Sequence, residues 1–281
     1  MGYLFGILGT LFQYSELDFI RQVRIAPTVW INIVRFLGAV IIMGLLAAIL
    51  SVWSVPSSNA WLLIGISIIV ETVVMYCYVT AFQISDQKTV GPLFGSTVIF
   101  LIPLGILFLG EHPSLPVIIG IAISFIGTLL IGLQNQASIT KMFFSKGSLL
   151  MMIASVLGSC SIVLAKITMT EIHPLVFGFS IMSGLLILNL IFAVFWRMDQ
   201  LPKFHDGSDN FFVAFFFGFG QVFHYMGLHL IFASVYIVLK RMHVLFDVLR
   251  DVIYGKGIKF FSFKIQGAIL MLIGIILIFL G

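Results

Sequence analysis

Long apolar runs separated by short polar interruptions dominate the chain. A helix that crosses a bilayer needs roughly 17–25 such residues. Ten runs meet that need, at 3–20, 28–50, 60–82, 89–109, 115–133, 147–168, 175–196, 210–231, 233–254 and 265–280. Most connections are short and carry turn chemistry, as in Ser54-Val55-Pro56-Ser57-Ser58-Asn59 and Gly110-Glu111-His112-Pro113. The longer polar piece from Arg197 to Asn210 has the charges and glycine of a surface loop. The pattern predicts an all-α integral membrane protein of ten transmembrane helices.

An internal repeat accompanies the pattern. At an offset of 147 residues, Pro27 maps to Pro174, Tyr78 to Tyr225, Gly120 to Gly267 and Gly127 to Gly274. Each half then holds five helices, over 1–135 and 136–281. An odd number of crossings forces the halves into opposite orientations, the inverted-repeat plan of many secondary transporters.

Composition narrows the class. The chain is 60% hydrophobic and 9% charged, against roughly a quarter charged in soluble domains, and its mean hydropathy is +1.18. The opening segment has no basic region and no small-residue cleavage site, so the first run is expected to stay as a helix. Cys77 and Cys160 fall inside apolar runs and read as packing residues. The net charge of +4 is not clustered as a nucleic-acid footprint would be. Its distribution is informative instead. Arg21, Arg24, Lys88, Lys141, Lys146, Arg197, Lys203, Lys256, Lys259 and Lys264 all lie in odd-numbered loops, while even-numbered loops hold Glu111 and Glu171. The positive-inside rule puts the odd loops in the cytoplasm and both termini outside.

Charges inside the predicted spans carry the candidate chemistry, because each costs roughly 2.5–3.5 kcal/mol at the bilayer centre unless paired or solvated. The acids are Glu16, Asp18, Glu71, Asp247 and Asp251, and the bases Arg35, Lys166, Lys240, Arg241 and Arg250. On a continuous ninth helix, Lys240, His243, Asp247, Arg250 and Asp251 fall within an arc of about 100°. Such a stripe lines a solvated pathway, neutralises itself by internal pairing, or marks an amphipathic surface helix. Glu71 sits mid-span among Ile68, Ile69, Val70, Val73 and Val74. It reads as a proton- or cation-coupling group, or as half of a fixed pair with Arg35 or Lys166. Asp18 reads as an interfacial group paired near Arg21 and Arg24. His224 and His229 are five residues apart and face different sides of their helix, so no metal site is assigned. No cofactor is implied. Pro92 and Pro103 predict a kink in the fourth span.

These features together resemble the drug/metabolite transporter superfamily, in particular its EamA-like members. In the first half the resemblance rests on Pro27 followed by Arg35, on Tyr78 to Phe82 (YVTAF), on Pro103 ahead of Phe108-Leu109-Gly110-Glu111, and on Gly120 and Gly127. In the second it rests on Lys166, Pro174, Tyr236 to Arg241 (YIVLKR), Leu245-Phe246, Gly267 and Gly274. The resemblance implies an exporter or exchanger of amino acids, drugs, sugars or related metabolites. It also implies a central cavity among the first, third, fourth, sixth, eighth and ninth helices, and both termini in the cytoplasm. The sequence departs from the pattern where Gly257 or Ile258 replaces the counterpart of Glu111, and where Arg250-Asp251 occupies the ninth helix.

The expectation is therefore a secondary active transporter of a small polar metabolite such as an amino acid, not an enzyme. It would lie in the plasma membrane of a bacterial or archaeal cell, with lipid, solute and protons as partners. Arg35, Lys166, Lys240, His243, Asp247 and Arg250 are the expected substrate-binding residues and Glu71 the coupling residue. The alternatives are a membrane enzyme using His243 and Asp247 as a general-base pair, and a non-transporting scaffold subunit.

Overall fold

The structure is a computed structural model. It describes residues 1–22, 28–85, 91–133, 144–195, 207–253 and 262–281. Among these the elements are α1 (Gly2–Gln22), α2 (Thr28–Ile49), α3 (Ser58–Ile84), a 3-10 turn (Gly91–Ser96), α4 (Thr97–Leu109), α5 (Leu115–Leu133), α6 (Lys146–Thr168), α7 (Pro174–Phe195), α8 (Gly207–Leu230), α9 (Ala233–Lys240), α10 (His243–Ile253) and α11 (Phe263–Leu280). Seven of these helices contain a stretch long and apolar enough to cross a membrane: α2, α3, α5, α6, α7, α8 and α11. Large apolar side chains such as Ile69, Leu107 and Val194 stand 65%, 75% and 79% exposed, a surface suited to lipid and not to water. The protein is a multi-pass membrane protein.

Two compact units make up the chain: Met1–Ile68 with Ile167–Leu230, and Ile69–Lys166 with Ile231–Gly281. Each takes a piece of both sequence halves.

In the first unit α1 packs on α8, α8 on α2, and α2 on α7. Phe5, Phe12 and Phe19 recur every seven residues on α1, and Phe212, Phe216, Phe219 and Phe223 recur at four-three-four spacing on α8. Both spacings keep the rings on one helix face. The rings interleave, with Phe12 within 5.3–5.8 Å of Phe216, Phe219 and Phe223, and Phe19 4.9 Å from Phe212. Where α2 meets α8 the backbones touch. A Cβ on Gly38 would lie 2.4 Å from the Ala214 carbonyl oxygen.

The second unit has its own glycine crossing. Gly120 and Gly127 of α5 lie against Gly274 and Gly267 of α11, where a Cβ at any of the four would meet a facing carbonyl oxygen at about 2.5 Å. Ser124 donates to the Met271 carbonyl (3.4 Å) between these contacts. Close backbone approach at small residues is how helices associate in lipid, where apolar burial gives no drive. Beside this crossing, Val74 and Cys77 of α3 pack on Ala154 of α6.

Two spans depart from uninterrupted helix. The fourth begins as the 3-10 turn and becomes α-helical only at Thr97, with Pro103 inside α4; the side chain of Pro92 lies outside the described residues. The ninth, expected as one helix over 233–254, breaks at Arg241-Met242. The last four carbonyls of α9 all find donors there. Arg241 N–H reaches Ile237 and Val238, Met242 N–H reaches Leu239 (3.0 Å), and the His243 ring reaches Lys240. A break at membrane depth is tolerated when the freed backbone groups are satisfied in this way. The single polar stripe expected from a continuous helix is thereby corrected. Lys240 ends α9, whereas His243, Asp247, Arg250 and Asp251 belong to α10.

Candidate functional site

Within the second unit, Glu71 of α3 accepts a 2.6 Å hydrogen bond from the Ser161 hydroxyl of α6. Lys240 lies near enough to act on the same carboxylate electrostatically. The chain break presents Lys240 there, because it ends α9 after only eight residues. The carbonyl of Lys240 is held by His243 Nδ1 at 2.8 Å. A carbonyl only accepts, so Nδ1 carries a proton. Arg241 is fastened to the 3-10 turn. It donates to the Phe94 carbonyl of the 3-10 turn (2.7 Å), and its guanidinium lies 4.8 Å from the centre of the Phe94 ring.

Of the expected site residues, Glu71 lies within electrostatic reach of Lys240, and His243 is joined to the Lys240 carbonyl. Arg250 is half-buried on α10. The side chain of Asp247 lies outside the described residues, as do those of Asp18 and Asp251. The two bases considered as fixed partners for Glu71 are engaged elsewhere. Arg35 pairs with Glu16 at 2.6 Å, donates to Asn32 (3.3 Å) and lies 4.4 Å over the ring of Phe217, all within the first unit. Lys166 pairs with Glu111 at 2.5 Å and donates to the Ile231 carbonyl at 2.7 Å, within the second. Among the described residues no group of three or more histidine, cysteine, aspartate or glutamate side chains is arranged to hold a metal ion.

Ser161 was not foreseen. It is one serine among several in a helix rich in small residues, and nothing in its neighbours distinguishes it. The Phe94–Arg241 contact had a signal, since the two positions stand 147 apart, the offset of the repeat. Glu111 was visible in the Phe108-Leu109-Gly110-Glu111 motif, although its partners were not.

Comparison with known proteins adds two findings. The model of the EamA-like transporter family matches residues 1–133, a little under half of the chain. A solved crystal structure 13% identical to the chain aligns with a TM-score of 0.80, over 99% of this chain and 98% of that one. At that identity the likeness is one of fold. No curated protein matches the chain.

Proposed function

With residues 1–133 an EamA-like transporter sequence, we propose that the protein is a secondary active transporter in the drug/metabolite transporter superfamily. It moves a small polar solute, such as an amino acid, by alternating access. The observation that carries this reading is the broken ninth span, which ends α9 at Lys240, within electrostatic reach of the Glu71 carboxylate that Ser161 bonds. Discontinuous helices with charged groups at their ends are how many secondary transporters bind solutes at membrane depth. A carboxylate bonded to a hydroxyl, with an ammonium within electrostatic reach, suits a zwitterion better than an apolar drug. Lys240, His243, Asp247 and Arg250 are the solute contacts in this reading, and Glu71 carries the coupling proton. EamA-like proteins are transporters, which weighs against a membrane enzyme.

Ten crossings in two inverted repeats, 1–135 and 136–281, belong to the same reading. Shifted by 147, Thr28–Ile49 falls on 175–196 beside Pro174–Phe195, and Leu115–Leu133 falls on 262–280 beside Phe263–Leu280. The Ser124–Met271 and Phe94–Arg241 bonds each join positions that are 147 apart, which supports a pseudo-twofold relation. The plasma membrane of a bacterial or archaeal cell is the proposed location.

Counterflow in proteoliposomes tests the proposal, using a panel of radiolabelled amino acids with and without a pH gradient. Saturable uptake that is lost in Lys240→Met, and uncoupled from the gradient in Glu71→Gln, is the expected result. Uptake unchanged in both variants removes the site assignment, and no uptake of any amino acid removes the substrate class.

A further inference from the structure

Glu111 and Lys166 do more than neutralise one another. The chain leaves α4 through Gly110, whose φ of 62° is left-handed, and the Glu111 N–H returns to the Gly105 carbonyl at 3.1 Å. This closing turn folds the Glu111 side chain back along α4, until Oε2 lies 3.0 Å from where a Cβ on Gly105 would be. Its Oε1 accepts from Lys166 Nζ near the end of α6, and from the Ala233 N–H that opens α9 (2.8 Å). Lys166 also donates to the carbonyl of Ile231 (2.7 Å). One carboxylate and one ammonium thus hold both sides of the junction Ile231-Phe232-Ala233. Lys166 is also the last residue of its segment in the second unit, and Ile231 the first of the next.

We propose that Glu111 and Lys166 form a clamp on this junction, fixing where α9 starts and hence where Lys240 ends it. At 1.5 Å per residue the eight residues of α9 are a rod of about 12 Å, so a displacement at Ala233 is delivered to Lys240. In this assignment Lys166 is a positioning residue and not a solute contact. The clamp itself stands without the transport reading; its consequence for Lys240 rests on it.

The two groups are not interchangeable, and that asymmetry supplies the test. An ordinary ion pair survives exchange of its partners. This one does not, because a lysine at 111 could not accept from Ala233 N–H, and a glutamate at 166 could not donate to the Ile231 carbonyl. The readout is the rate at which N-ethylmaleimide modifies a thiol introduced by Phe232→Cys, a position 40% exposed, with Cys77→Ala and Cys160→Ala removing the native thiols. Lys166→Met is expected to raise that rate about tenfold in protein that remains monodisperse, the ratio that follows from losing one charge-assisted hydrogen bond. The double exchange Glu111→Lys with Lys166→Glu is expected to match Lys166→Met. Gly105→Ala keeps both charges but displaces the carboxylate, and is expected to raise the rate about threefold by weakening the same bonds; it serves if the charge variants do not fold. A rate within twofold of the parent in Lys166→Met or Gly105→Ala overturns the clamp, as does restoration of the parental rate by the double exchange. If the clamp results hold while counterflow is absent in every variant, the transport reading fails alone.

Discussion

Glu16–Arg35 in the first unit and Glu111–Lys166 in the second are both carboxylate–base pairs with little exposure, yet they do different work. The side chains of Glu16 and Arg35 are 2% and 21% exposed, and the other partners of the arginine are the Asn32 amide and the Phe217 ring. Every one of those groups is a side chain on a helix, so the pair fixes which faces of α1, α2 and α8 meet. Glu111 and Lys166, at 6% and 15% exposed, spend their remaining bonds on backbone at Ala233 and Ile231. That pair fixes a path of the chain. A buried charge tied to side chains selects a packing face, whereas one tied to peptide groups selects a loop geometry.

Breaking the second pair has the largest expected effect. Lys166→Met leaves the buried Glu111 carboxylate with the Ala233 N–H but no counter-charge, and the Ile231 carbonyl without its lysine donor, at a cost of about 4 kcal/mol. Thermal unfolding in detergent micelles should show it as the greatest loss of apparent stability among these variants. Arg35→Met removes the ion pair to Glu16 and is expected to cost about 3 kcal/mol in the same assay; a loss larger than that of Lys166→Met would invert the comparison. Arg35→Lys retains a charge but loses the planar fork shared by Glu16 and Asn32 and the stacking on Phe217, for about 1 kcal/mol. If Arg35→Lys were as damaging as Arg35→Met, the guanidinium geometry and not the charge would hold the faces together.

The smallest effect sharpens the contrast through a group that fastens backbone while uncharged. His173 precedes α7 and accepts the Leu175 N–H on Nδ1 at 3.3 Å. Burial, and then the nearby charge of His229, hold its pKa below the ordinary histidine value. The folded chain therefore binds this proton less readily than the unfolded chain. Stability from His173 is complete above the unfolded value of about 6.5 and is lost as pH falls from there through the folded value. Melting curves between pH 7.5 and 5 should slope downward on the acid side, and His173→Gln should flatten that part of the slope.

Much of the architecture is legible in the sequence, because the bilayer imposes a one-dimensional rule. Apolar runs must be helical and of a fixed length, so α2, α5, α7 and α11 fall within a few residues of their expected spans. Glycines at 120, 127, 267 and 274 mark the repeat in the sequence, whereas their close backbone crossing emerges only in the fold. The chemistry of the charged residues was legible only as a census of acids and bases. Which acid meets which base depends on helix rotation and on distances between segments far apart in the chain, and composition carries neither.

Apolar patterning alone places this chain in a membrane as a helical protein, and shows that its spans hold a costly set of ionisable groups. Tertiary structure decided the partnerships: Arg35 with Glu16, Lys166 with Glu111, and Glu71 with Ser161 beside Lys240. It also decided the break at Arg241-Met242, where 3.6-residue periodicity alone predicts a continuous helix. Periodicity reports which residues share a face only while the backbone bonds run on unbroken. At Arg241-Met242 the last carbonyls of α9 accept from Arg241, Met242 and the His243 ring, and the face count starts again at His243.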